Sequence, residues 1–176
     1  MSTLFVNNLN TASGSSIALA SGKTLDASAG TLTPSAGQIV QYQNRNSVTN
    51  GFTTSSSSFV DLTDYYVDIT PTSATNLLRF HANIYHLPSG TSGAYTRYQI
   101  VDSNNSDTKW NELNFVGSAG YLHTGWENIT ITHTRTAGTT NTLRLQIQVR
   151  VTGGGTMNMN WSSNERRGIE VMEIAQ

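Results

Sequence analysis

Four histidines (His81, His86, His123, His133) and eleven carboxylates hold most of the capacity for acid–base or metal chemistry in this 176-residue chain. There is no cysteine, so thiolate catalysis, Cys-ligated zinc and disulfides are all excluded. A metal site on a strand needs ligands of one parity, and His81 and His86 have opposite parity on a single strand-like run. No His-x-His and no His-Glu-x-x-His spacing occurs. A glycosidase needs two carboxylates facing each other across a cleft. A pair such as Glu112 and Glu127 is conceivable, but nothing in the sequence singles it out. No Gly-x-Ser-x-Gly elbow is present, and Gly153-Gly154-Gly155 lacks the lysine and helix of a phosphate loop. The expectation is a non-enzyme with no catalytic residue, no cofactor and no metal.

Asp102-Ser103-Asn104-Asn105-Ser106-Asp107 places oxygen donors at alternate positions, like the opening of a calcium loop. Its sixth place is Asp107 rather than glycine and its twelfth is Leu113 rather than glutamate, so a polar hairpin loop is the better reading. The aromatic residues are more suggestive. Tyr65, Tyr66, Tyr85, Tyr95, Tyr98, Trp110, Tyr121 and Trp126 stand among many Asn and Thr. Flat rings with amide and hydroxyl neighbours suit sugars, although most aromatics in such a chain serve the core or an interface. Tyr95, Tyr98 and Trp110, in or beside polar loops, are the candidates for glycan or receptor contact. Arg166-Arg167 could meet an anion, or pair with Glu165, Glu170 or a neighbouring subunit.

Strands must position these residues. Thr142–Thr152 alternates strictly: Leu143, Leu145, Ile147, Val149 and Val151 on one face, Arg144, Gln146, Gln148 and Arg150 on the other. Period two over ten residues is a strand signal that no amphipathic helix gives. Leu77–Leu87 sets Phe80, Ala82 and Ile84 against Arg79, His81, Asn83 and Tyr85. Further strands are expected at 39–42, 59–62 paired with 65–70, 94–101, around Ile129 and Ile131, at Met157–Trp161, and at 169–174. Thr70-Pro71-Thr72-Ser73 and Leu87-Pro88-Ser89-Gly90 read as turns. Gly153-Gly154-Gly155 reads as a hairpin loop. No segment has helical periodicity with caps. The fold class is therefore all-β: an antiparallel β-sandwich, jelly-roll-like, over residues 37–176.

Residues 1–36 differ. Short apolar groups such as Leu4-Phe5-Val6, Ile17-Ala18-Leu19 and Thr24-Leu25 are separated by Ser, Gly, Ala and Asn. Alone, such a segment cannot bury enough surface to offset its ordering entropy. It is a linker, or an arm or shaft whose missing core is supplied by sister chains. We read it as a β arm or intertwined shaft, with Leu4, Phe5, Val6, Ile17 and Leu19 as attachment residues. Only 12% of residues are charged, about half the usual ~25%. A neutral, hydroxyl-rich surface suits packing against copies in a large assembly. The formal net charge of -1 argues against a nucleic-acid partner. No secretory signal and no membrane-length apolar run is visible.

A family resemblance rests on three patches. The opening, Leu4–Leu9 through Ser13–Ile17 and Gly22–Leu25, resembles the N-terminal arms of phage fibre-type proteins. Thr53–Leu62 with Val67–Ser73 is similar to the start of β-sandwich tip domains in phage structural proteins, many from marine and cyanobacterial viruses. Ser163–Ile169 with Val171–Gln176 looks like the terminal strand of the same group. The resemblance implies a virion protein on the exterior of the particle, usually a homotrimer, attached to capsid, portal or tail. A short fibre or spike that contacts host glycan is the leading expectation. A capsid or tail decoration protein, or a lectin-like module, are the alternatives.

Overall fold

A computed structural model describes residues 21, 34–45, 51–89, 95–106, 108–113, 127–159 and 168–176. The chain divides into two units, Met1–Thr33 and Pro34–Gln176, and every strand described lies in the second. The proposed attachment residues Leu4, Phe5, Val6, Ile17 and Leu19 lie outside the described residues. The strands are β1 (Ile39–Arg45), β2 (Phe52–Thr54), β3 (Val60–Ile69), β4 (Leu77–Ser89), β5 (Tyr95–Asp102), β6 (Thr108–Leu113), β7 (Glu127–Thr136), β8 (Leu143–Thr152), β9 (Thr156–Met159) and β10 (Gly168–Ile174). Among the described residues the sole helical turn is a 3-10 turn at Ser103–Asn105, so the fold is all-β as expected.

The pairing is antiparallel throughout, and it is nested. β1 pairs with β10, β2 with β9, β3 with β8, β4 with β7, and β5 with β6. First meets last and the innermost strands are neighbours, so the unit is one long hairpin. Its two arms then roll up, because β10 also pairs with β4 and β8 also pairs with β5. Two sheets result. One has the order β1-β10-β4-β9-β2 with β7 on β4, and the other has the order β3-β8-β5-β6.

The rolling is driven by alternation. Leu143, Leu145, Ile147, Val149 and Val151 of β8 face Leu78, Phe80, Ala82 and Ile84 of β4, within one cluster that also takes Ile131, Ile169 and Val171. Each of the Val, Leu, Ile and Phe side chains contributes about 1.5–3 kcal/mol on burial. Slipping either strand by one residue would turn the apolar set outward. The two faces read from the sequence for β4 and β8 are those observed.

Three local readings need correction. Residues 59–62 and 65–70 form one strand, β3, not a pair. Between Asp61, opposite Gln148, and Tyr66, opposite Gln146, the strand bulges. Asp64 sits there at φ 63. The bulge reverses parity, so Leu62 and Tyr65 both reach the core. Gln146 fills the distortion from the far side. Its Nε2 donates to Leu62 O (2.9 Å), Tyr65 O (3.2 Å) and Ile147 O (3.0 Å). Second, the glycine triplet is not a hairpin loop. It carries the chain from β8 in one sheet to β9 in the other, with Gly153 and Gly154 both at φ 75, a region glycine enters without steric cost. Third, Leu87-Pro88-Ser89 is not a turn but the end of β4. Pro88 lies opposite Met157, beyond the last β7 partner at His86, where its missing N–H breaks no β7 ladder bond.

Candidate functional site

The three residues expected to contact a receptor separate. Tyr95 stands at the start of β5 on the outward face of the four-stranded sheet, half-buried. Tyr98 is 0% exposed, in the core, with its hydroxyl 2.5 Å from His86 Nδ1. It is therefore removed from any contact surface. The physical reason is parity: positions 95 and 98 differ by three, so one strand points them to opposite faces. Trp110 is partly buried, packed against the core, with the Arg135 guanidinium 4.7 Å from its ring.

Most described polar groups with chemical potential stabilise the fold. Asp102 caps the 3-10 turn, accepting from Asn104 N (3.2 Å) and Arg144 N (3.1 Å). The described part of the calcium-like segment, Asp102–Ser106, is thus a turn closed by its own first carboxylate. Glu173 is 0% exposed. Its Oε1 accepts from Thr72 N and Oγ1 (2.8 Å each), Ser73 N (3.2 Å) and Asn76 Nδ2 (2.7 Å), and its Oε2 from Gln41 Nε2 (2.6 Å). Burial alone would raise its pKa, but these donors outweigh it and hold the carboxyl below its ordinary value. The cluster ties β10 and β1 to the loop between β3 and β4.

His86 is 1% exposed at the last β4–β7 pair, opposite Glu127, with 3.5 Å from its Nε2 to the carboxylate. Burial depresses its pKa despite the opposing pull of Glu127. Burial likewise keeps the Tyr98 phenol protonated. A neutral ring with its proton on Nε2 suits this arrangement, with Tyr98 donating to Nδ1. His81, on the outward face of the same strand, bonds Thr132 Oγ1 at 3.1 Å and Asn83 Nδ2 at 3.3 Å. Among the described residues, no three His, Asp or Glu come together in a way that could hold a metal.

What remains is the outward face of β3, β8 and β5, where arginines and aromatic rings alternate. At one end Tyr66 lies between two guanidiniums, Arg45 at 3.9 Å and Arg144 at 4.3 Å. Asp64 pairs with Arg45 at 3.2 Å, and Asp68 holds Arg144 through bonds of 2.8 and 2.9 Å. In the middle, Gln99 Nε2 donates to Gln148 Oε1 (2.6 Å), and Gln148 Nε2 donates to Asp61 Oδ1 (2.9 Å). At the other end Arg97 and Arg150 lie directly opposite each other on β5 and β8. Arg150 stacks over Phe59 at 4.6 Å and Arg97 over Tyr95 at 4.8 Å. Arg97 Nη2 also donates to the Tyr95 hydroxyl at 3.0 Å. The face is partly covered and ordered by stacking, and it carries arginine and tyrosine, residue types enriched among interface anchors.

The sequence had placed Arg144, Gln146, Gln148 and Arg150 on one face, but did not join them to Tyr95, Arg97 or Phe59. The joining signal is the β5–β8 register, a long-range property. Tyr66 was legible only as an aromatic. The chain matches no protein-family model and no curated protein.

Proposed function

We propose that the chain is a non-enzymatic structural subunit on the exterior of a bacteriophage particle. It works as a homotrimeric short fibre or spike, and the Arg- and aromatic-lined face of the four-stranded sheet meets the host surface. The sandwich is a jelly roll, a reading supported by the nested pairing of a single rolled hairpin. The observation that carries the functional reading is the division of labour among polar groups. Asp102, Glu173, His86 and Gln146 brace turns, loops and the bulge, whereas Tyr95, Arg97, Arg150 and Phe59 form a stacked outward face. Arginine and aromatic side chains are the residue types that interfaces enrich.

Assembly has its own support. β1 lies at the edge of its sheet and carries Ile39 at 59% and Tyr42 at 46% exposure. Its Ile39–Asn44 stretch has no charge and no proline, the devices that usually keep an edge strand single. That edge also supports the alternative role, a decoration subunit seated against the shell.

Competition tests the attachment role. Excess soluble full-length chain should block adsorption of the parent phage to host cells, and Tyr95→Ala should weaken that block. Undiminished adsorption in the presence of excess chain would remove the receptor role and leave decoration.

A further inference from the structure

We infer that β7 is a self-complementary edge: it pairs antiparallel with β7 of a second copy, across a twofold axis at Ile131. The contact goes beyond the threefold assembly proposed above. It would join chains of neighbouring trimers, and it does not depend on the trimer.

Over Leu77–Asn83, β4 carries β10 on one side and β7 on the other. Among the described residues β7 has no second partner strand, so it ends its sheet. An edge strand offers a row of backbone N–H and C=O groups to any chain that can pair with it. β7 lacks the usual guards. It has no lysine and no proline, and its register with β4 runs from Glu127 to Thr136 without a bulge. β1, at the opposite edge, differs, because its register shifts between Ile39 and Gln41. Thr and Ile, which favour extended chain, fill much of β7. Its outward side chains Asn128, Thr130, Thr132, Thr134 and Thr136 are all exposed.

Charge placement selects the occupant. The strand holds one carboxylate, Glu127, and one guanidinium, Arg135, each four residues from Ile131. Antiparallel pairing about Ile131 sets Glu127 of each copy opposite Arg135 of the other, the isologous pattern of a twofold contact. Opposite charges directly across a strand pair stabilise it. The same register sets Asn128 opposite Thr134, Thr130 opposite Thr132 and Ile131 opposite itself. Faces stay matched, with Ile129 and Ile131 on the core side and the Asn and Thr side chains outside. A one-residue slip would set Ile131 opposite a threonine and mismatch the faces. A two-residue slip restores the faces but parts Glu127 from Arg135, whichever way it runs. Both groups are already placed at the rim. Arg135 is exposed, with its guanidinium over Trp110 at 4.7 Å. Glu127 lies 3.5 Å from His86 Nε2 with 31% of its side chain exposed. It keeps that contact in the pairing, because a carboxylate accepts at two oxygens. One strand pair buries less than a standard interface. The contact is therefore weak between copies in dilute solution and strengthens where copies are held close together on a particle.

The test uses the purified full-length chain and reads its mass by light scattering from dilute to concentrated solution. The mass should climb to at least twice that of the dilute species. Arg135→Glu opposes like charges at both ends of the pairing and should weaken the association by about tenfold or more. Glu127→Arg should do the same. The two variant proteins, purified separately and then mixed, regain opposite charges at both ends and should associate again. Arg79→Glu, on the outward face of β4, should leave the association within about twofold. Melting curves establish that the variants fold, and Arg135→Glu carries the test alone if Glu127→Arg, which disturbs the His86 contact, does not. A mass independent of concentration would overturn the pairing. So would a loss in Arg135→Glu no greater than in Arg79→Glu, or a mixture of folded variants that associates no better than either alone. A trimer that never grows rejects the β7 contact and leaves the fibre reading standing. A single chain that pairs only into two supports the β7 contact and rejects the threefold assembly.

Discussion

Replacing Glu173 by glutamine tests whether the buried carboxylate holds the sheet ends to the β3–β4 loop. Oε1 remains an acceptor in the variant, so Thr72 N, Ser73 N and Asn76 Nδ2 keep a partner. The other oxygen becomes an amide nitrogen facing Gln41 Nε2, which now lies 2.6 Å from it. Two donors then confront each other. Gln41 cannot relieve this by turning its amide, because the same Nε2 also donates to Thr70 O at 2.7 Å. One charge-assisted bond is lost and the others weaken, which costs about 1.5–3 kcal/mol for the lost bond. The cheaper burial of a neutral amide offsets part of the rest. For a domain of this size that lowers Tm by about 5–10 °C. The pH dependence gives a second, independent readout. A carboxyl depressed below its ordinary 4.5 contributes stability above that value, and the contribution is lost as pH falls through the folded-state pKa. The gap between wild type and Glu173→Gln should therefore be full near neutrality and shrink in acid. Urea unfolding of both proteins across that range measures it. Equal stability at neutral pH, or a gap that does not close in acid, would refute the reasoning.

Other perturbations have defined outcomes. His86 is depressed by burial, so the unfolded chain binds its proton first, and stability should fall as pH drops below its ordinary 6.5. His86→Gln should flatten that slope, leaving the share from the half-buried His133, also lowered by burial, as read by unfolding midpoints against pH. Gln146→Leu should cost about 2–4 kcal/mol, because the carbonyls of Leu62 and Tyr65 at the bulge lose their donor. Denaturant titration would contradict that role of Gln146 if the loss were below about 1 kcal/mol. Gly154→Ala meets no atom within 4 Å, so its cost comes from the backbone at φ 75. Thermal melts should show a loss of about 1–2 kcal/mol.

The strands were legible because burial on one face leaves a period-two pattern that survives in any register, as in β8 and β4. The errors share a different origin. Pro88 and the glycine triplet carry turn chemistry, but tertiary pairing decided their roles: one fits beyond the end of the β7 ladder, the other crosses between sheets. The β3 bulge was invisible because its support, Gln146, is more than eighty residues away. Tyr98 was misassigned although its parity relative to Tyr95 held the answer. Glu173 and His86 looked like ordinary polar positions. What distinguishes them is burial, and their partners come from loops and strands remote in sequence. The candidate face was half legible: its β8 arginines and glutamines alternate visibly, while the rings that stack on them enter through strand pairing.

Self-association is the most direct test of the claim that this chain builds a spike. The mass of purified full-length protein in dilute solution, by light scattering or native mass spectrometry, should be three times the 19.1 kDa of one chain. A stable trimer supports the account, and a monomer at all accessible concentrations would contradict it.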